Sequence, residues 1–299
     1  MSKLVARVGV PALTVLALAG CGSSSSSSSS TTTTPATAAG ANASIAAQVP
    51  AAIKSKGTLT VAADATYAPN EFMAQDGHTV IGMDADLMNA IGNLMGLKVN
   101  VVNATFDTII PGLASGKYDV GASSFTDTKE REKTVDFVTY FNAGISFYAK
   151  ASANPGVKTV ADLCGKTVSV EKGTTEQEEA TAQSGKCTKA GKKPVTVLVF
   201  NDQNGANLAI SSGRAEIGMA DSPVAAYQVK QSEGGFKLVG QTYGTAPYGL
   251  AIPKHSGLAP PILAALKELI ANGTYMQILT KWGVQAGAIT APKINGATS

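Results

Sequence analysis

The sequence predicts an α/β protein of two lobes, each a mostly parallel sheet flanked by helices and joined by two crossing strands. Three observations carry that prediction. Short β-branched runs alternate with helical patterns along most of the 299 residues, the arrangement that arises when a helix returns the chain between parallel strands. The arrangement occurs twice, and Leu113 to Ser124 (LASGKYDVGASS) aligns without a gap on Ile210 to Asp221 (ISSGRAEIGMAD), 97 residues later. The body from about 53 to 290 has the length of two modest lobes, and no apolar run in it is long enough to span a membrane.

The first series opens with the strand Leu59 to Ala63. Asp76-Gly77, between Glu71-Phe72 and Val80-Ile81, has the composition of a tight turn. Asp84 is placed to cap the helix Ala85 to Met95, and the strand Val99 to Val102 and the helix Thr108 to Leu113 follow. The second series begins near Thr159: strand Val168 to Val170, a helix from Thr175, strand Val195 to Phe200, a helix around Asn207 to Ser211 and strand Ala215 to Ala220. Each repeat copy is a helix end, a Ser-Gly turn, a basic residue and a short strand, so Ser124 and Asp221 fall just past the carboxyl ends of equivalent strands. Open α/β sheets bind ligands at that edge. Two such edges facing each other make a cleft with polar groups from both sides.

At the amino end, Lys3 and Arg7 precede the apolar run Val8 to Ala19, with no acidic residue, so 1–20 reads as a secretory signal. Leu18-Ala19-Gly20-Cys21 is similar to the lipobox of bacterial lipoproteins, which implies a diacylglycerol on Cys21 and an extracytoplasmic protein anchored to the bacterial cell membrane. Residues 21–52, rich in Ser, Thr and Ala, lack the apolar clusters that offset ordering entropy and are expected to form a lipidated, disordered tether. Its reach is on the order of 30 Å. Loss of the signal lowers the formal charge from +3 to +1, which leaves no electrostatic case for nucleic acid. Cys164 and Cys187 remain in a compartment where disulfides persist, and a bond between them is expected. The two histidines, His78 and His255, are isolated and read as surface loop residues, so neither a metal nor a cofactor is expected.

Taken in order, Asp64-Ala65-Thr66-Tyr67-Ala68-Pro69, Phe106-Asp107-Thr108-Ile109-Ile110-Pro111, Ser123-Ser124-Phe125-Thr126 with Lys129-Glu130-Arg131, Gly173-Thr174-Thr175, Ala220-Asp221-Ser222 and Gly273-Thr274-Tyr275 resemble the polar amino-acid-binding proteins of ABC importers, over about 57–283. These are the histidine, lysine/arginine/ornithine and glutamine binders. The resemblance implies a type II periplasmic-binding-protein fold with a free amino acid between the lobes. A zwitterion cannot be buried without partners for both its charges. Arg131 matches the position that grips the carboxylate, for which a planar guanidinium is suited, and Asp221 with Ser124 matches the ammonium site. Backbone N–H groups near Thr126 and near Thr174-Thr175, each before a helix, would complete the anion site. Tyr67 and Phe106 match aromatic walls, while Asp64, Ser123 and Glu171 match side-chain-pocket positions whose two acids would favour a basic ligand. Asn70 and Glu176 depart from the pattern, Glu176 standing where a glutamine is frequent.

Hinges near Ala143 to Ser146 and Ala246 to Tyr248 divide the chain into one lobe of 53–142 plus 248–290, a second of 143–247, and a tail of 291–299. Ligand held by both lobes would favour a closed state that importer permease subunits recognise, with the chain a monomer. The same fold carries arogenate and prephenate dehydratases, but the cleft motifs lack a histidine or an activated nucleophile, so no catalytic residue is assigned. An amino-acid-sensing lipoprotein remains the alternative that shares every residue above.

Overall fold

The computed structural model describes residues 40–298; the secretory signal, Cys21 and the tether as far as residue 39 lie outside the described residues. From residue 43 the expected tether gives way to two short helices, α1 (Ala43–Gln48) and α2 (Ala51–Lys56). This corrects the tether boundary. Asn42 caps α1 by accepting from the Ser44 and Ile45 N–H groups, and Ile45 and Val49, four residues apart, are buried in the first lobe's core.

The chain continues through β1 (Thr58–Ala63), then a small antiparallel sheet of β2 (Thr66–Tyr67), β3 (Glu71–Met73) and β4 (Val80–Ile81). The Asp76-Gly77 turn joins β3 to β4 as expected: Asp76 accepts from His78 and Thr79 N–H, and Gly77 supplies φ +69°. Next come α3 (Met83–Leu94), β5 (Lys98–Asn103), α4 (Phe106–Ala114), β6 (Val120–Gly121) and the 16-residue β7 (Val135–Lys150). The second lobe adds β8 (Thr167–Glu171), α5 (Thr175–Lys189), β9 (Thr196–Phe200), α6 (Gln203–Ser211), β10 (Ile217–Asp221) and α7 (Ser222–Gln231). The long β11 (Phe236–Pro253) returns to the first lobe, where α8 (Ala259–Ala271) and α9 (Thr274–Trp282) pack.

The strands lie in the order β5-β1-β6-β11-β7-β10-β8-β9. At one end β5, β1 and β6 are parallel, at the other β10, β8 and β9 are, and antiparallel β7 and β11 run between them. The β7–β11 register shifts between Val239 and Tyr243, between Tyr243 and Ala246, and between Tyr248 and Gly249. Each end has its own apolar core. Leu59, Val61, Leu87, Ile91, Leu250 and Leu266 belong to the first; Phe147, Leu163, Val168, Val170, Ile217 and Met219 belong to the second. Cys164 and Cys187 are bonded, tying the last turns of α5 to the 3-10 turn Val160–Leu163. His78 and His255 are both exposed.

Asp84 does not cap α3. Gly82 occupies the cap position, and Asp84 is buried in the first turn, accepting from Ser124 N–H and Tyr140 Oη. The tail is tied to β7 and its neighbours: Ile294 bridges to Val138, Asn295 N–H donates to Phe137 O while its side-chain Oδ1 accepts from Phe137 N–H, and Gly296 N–H donates to Asp127. Among the described residues, no helix is long and apolar enough to cross a membrane.

Candidate functional site

The carboxyl ends of β1 and β6 and the start of α4 build one wall. Asp64 follows β1, and its carboxylate is fixed by Thr66 Oγ1 at 2.6 Å and the Phe106 N–H at 3.0 Å. Ser123 and Ser124 follow β6 after Ala122. Ser124 sits at φ +51°, an uncommon left-handed conformation for a residue with a side chain, held by its N–H donating to Asp84 at 3.0 Å. Phe106, the first residue of α4, stacks on Phe125 with ring centroids 4.5 Å apart.

Arg131 lies in a 3-10 turn, and its guanidinium covers the Phe106 and Phe125 rings at 5.5 and 5.7 Å. One amino group donates to Thr126 O at 2.9 Å and the other to Gly173 O, across the cleft, at 3.0 Å. Five N–H donors are available to a guanidinium and two are thus committed, so a two-pronged grip on an anion remains open. Sequence reasoning placed a helix after Thr126; the structure instead has Thr126 bridged to Tyr248 and only a single 3-10 turn beyond it. The cause is the Asp127 N–H, which is committed to Pro247 O on β11. The N–H groups near Thr126 are therefore not those of an α-helix start, whereas those of Thr175 and Glu176 on α5 are.

The facing wall comes from β8, α5 and β10. Thr174 caps α5, accepting from Gln177 N–H and donating to Glu171 O, which leaves the first-turn N–H groups of Thr175 and Glu176 without helical partners. Asp221 ends β10. Its Oδ2 accepts from Tyr67 Oη at 3.0 Å while its own N–H donates back to the same hydroxyl, so β2 and β10 are tied across the cleft. Lys172 and Asp107 form an ion pair at the rim, 2.7 Å apart, and Gln203 N–H donates to Thr66 Oγ1. The lobes are in contact, and the cleft is closed.

All eleven residues put forward from the sequence line a single small cavity. A twelfth lining residue, Glu176, was noted only as a departure from pattern. Its signal was present in the helix-start motif Thr174-Thr175-Glu176, but a first-turn glutamate normally faces solvent. Here it is 2% exposed, and its Oε1, like Glu171 Oε1, has no hydrogen-bond partner among the described residues.

The electrostatics are lopsided. Four carboxylates, Asp64, Glu171, Glu176 and Asp221, face a cavity in which Arg131 is the one cation among the lining residues. Burial raises all four from their ordinary values, Glu171 and Asp221 well above; Asp64 adds to the effect on Glu171, and Glu176 to that on Asp221. Thr66, the Phe106 N–H and Glu171 itself pull Asp64 partly back down. Such a group of buried acids with orphaned oxygens is satisfied by a ligand carrying positive charge and many N–H donors.

Comparison with known proteins agrees with this geometry. A family model described as bacterial extracellular solute-binding proteins, family 3, matches residues 59–285. The arginine-binding protein ArgT of Corynebacterium glutamicum is 36% identical over 252 residues, covering 84% of this chain and 82% of that protein. Among solved structures, an ancestral arginine-binding protein bound to arginine superposes with a TM-score of 0.69 at 39% identity, covering 76% of this chain and 98% of the other. The ancestral amino acid-binding protein AncCDT-1, a precursor of cyclohexadienyl dehydratase, superposes at 0.70 with 34% identity, covering 77% and 97%.

Proposed function

Since the chain belongs to family 3 of the bacterial extracellular solute-binding proteins, we propose that it captures a free cationic L-amino acid, arginine foremost, for an ABC importer. The single observation that carries the choice of a cation is the four-to-one excess of carboxylates over guanidinium in the cavity. In this reading Arg131 and the α5 N-terminus take the ligand carboxylate, and Asp221 with Ser124 takes the ammonium. Asp64, Glu171 and Glu176 take the side-chain cation, while Phe106 and Tyr67 close over the aliphatic stem. The arginine-binding relatives support the same assignment.

Mechanism follows from where these groups reside. Arg131 belongs to the first lobe and Asp221 to the second, so a ligand gripping both interacts fully only with the closed form and shifts the open–closed equilibrium by that difference. We place the hinge where the β7–β11 ladder is irregular, at Ala143 to Ser146 and Ala246 to Tyr248, with 53–142 plus 248–290 and 143–247 as the moving bodies. A lipid on Cys21 would hold the protein at the cell membrane beside its permease.

Isothermal titration with arginine, lysine, ornithine, histidine, glutamine, citrulline and glutamate tests the reading. Arginine or another cationic amino acid should bind most tightly, and glutamate should give no heat. Preference for glutamine over every cationic amino acid would overturn the assignment of charge. The dehydratase reading predicts turnover of prephenate or arogenate; kinship with a precursor that is itself an amino acid-binding protein favours binding without chemistry.

A further inference from the structure

Behind the serine wall lies a buried polar layer that does not line the cavity. Glu71, on β3, is fully buried. Its Oε1 accepts from Ser123 Oγ at 3.3 Å and its Oε2 from Ser124 Oγ at 3.2 Å. Each serine oxygen is also an acceptor on the protein side: Ser123 Oγ receives the Asp64 N–H at 2.8 Å, and Ser124 Oγ receives Asn70 Nδ2 at 2.9 Å. A hydroxyl has one proton and two lone pairs. With the proton directed at Glu71 and one lone pair filled, the remaining capacity of each serine is a single lone pair.

We propose that Glu71 is a positioning residue that sets the hydrogen-bond polarity of the site, turning both serine protons away from the cavity so that Ser123 and Ser124 present only acceptors to the ligand. The inference rests on the reading that the ligand is cationic and gives that reading a second layer of selection. The carboxylates of Asp64, Glu171, Glu176 and Asp221 attract charge, and the oriented serines reject a ligand that offers a carbonyl where a guanidinium or ammonium offers N–H. Asp84 serves the same wall, since it holds the Ser124 N–H and thereby the left-handed backbone that aims the hydroxyl. Burial pushes the Glu71 carboxyl well up, and Asp84 beside it pushes further. Protonation on the side facing Asp84 leaves the serine-facing lone pairs in place, so the polarity of the wall does not depend on Glu71 being charged.

Glu71→Gln is the discriminating variant. Its amide nitrogen must face one of the two serines, and an amide nitrogen donates and cannot accept, so that serine turns its proton into the cavity. Arginine affinity should fall about tenfold or more. Where the nitrogen faces Ser123, in the side-chain pocket, citrulline, which replaces the guanidinium by a ureido carbonyl, should fall less or rise and the arginine-to-citrulline ratio drops. Where it faces Ser124, at the ammonium, arginine and citrulline should fall together while desamino-arginine, which lacks that ammonium, is spared. Equal losses of all three, as a merely structural role predicts, would overturn the proposal. Neutron diffraction from deuterated wild-type crystals without ligand decides the matter if the variant does not fold. Seryl deuterons between Oγ and Glu71 support the proposal, and deuterons pointing into the cavity refute it. Because that measurement needs no ligand, it stands apart from the titration series, whose failure with every cationic amino acid would sink the ligand assignment instead.

Discussion

Arg131, Asp221, Glu171 and Glu176 illustrate how a binding site is assembled from groups that are costly to bury. Removing one partner of a buried, hydrogen-bonded charge pair costs about 2–5 kcal/mol, much of it from the charge left behind. Arg131→Ala is therefore expected to weaken arginine by that amount in calorimetry, with little change in the melting temperature of the ligand-free protein. Glu171 is a sharper case because its two effects have opposite signs. Its pKa lies well above the carboxylate range, first through burial and then through Asp64, so the folded ligand-free protein retains a proton that the unfolded chain loses above about pH 4. That contribution is fully present below pH 4 and is lost as pH rises through the folded value. Glu171→Gln, which cannot lose the proton, should leave stability nearly unchanged at pH 4 and raise it at pH 8 in denaturant titration, while weakening arginine. In the wild type a cationic ligand favours the ionised acids, so binding should release protons and tighten from pH 5 to pH 7. Affinity that falls over that range would count against the cationic ligand. Eleven of the twelve lining residues were legible because each lies in a short motif that resembles those of the polar amino-acid binders. Glu71 and Asp84 were not legible as support for the wall, since their serine partners are 40 to 53 residues away and only the fold brings them together.

At the scale of elements, the internal repeat proves to be physical as well as textual. In both copies a helix ends at a serine, Ser115 or Ser212, a glycine follows at φ +76° or +80°, and a short strand leaves. The acid before each strand does the same work twice. Asp119 accepts the Thr60 N–H and pairs with Lys56; Glu216 accepts the Thr167 N–H and pairs with Lys166. Those constraints keep the two segments alike, and they explain why the repeat was readable. The short α1 and α2 were not, because six-residue helices have almost no intrinsic stability; α1 is held here by burying Ile45 and Val49 against the first lobe, and α2 by packing half-buried Ile53 on the same core. Helix α5 carries a separable pair of functions, with the cavity at its first turn and the disulfide at Cys187, twelve residues or roughly 18 Å along. Replacing Cys164 and Cys187 together by serine should cost about 3 kcal/mol of stability, from the loop-closure entropy regained by the unfolded chain. Arginine affinity measured on the folded variant should stay within about twofold of wild type. A large loss would mean that the bond aligns the α5 N-terminus rather than merely stiffening its lobe.

For the whole molecule, the decisive property is the difference in energy between the open and closed arrangements, and Gly173 is the residue that isolates it. It sits at φ +79° in the turn between β8 and α5, and its carbonyl takes Arg131 from the other lobe. A Cβ built on Gly173 would come within 2.9 Å of Asp107 Cβ and 3.2 Å of its Cα, both on the first lobe, so the obstruction is backbone and cannot swing aside. Gly173→Ala thus has two costs that differ in where they act. The left-handed conformation costs about 1–2 kcal/mol in any state that keeps the turn, open or closed, and therefore lowers stability without altering the balance between them. The contact with Asp107 exists only when the lobes meet, so it penalises closure alone. The expected result is a modest drop in melting temperature together with a much larger loss of arginine affinity, and small-angle scattering in which saturating arginine compacts the wild type but compacts the variant less. If the variant loses stability yet binds and compacts as the wild type does, the interface at Gly173 is not part of the ligand-bound state, and the closed cleft described above is not the one that holds the amino acid.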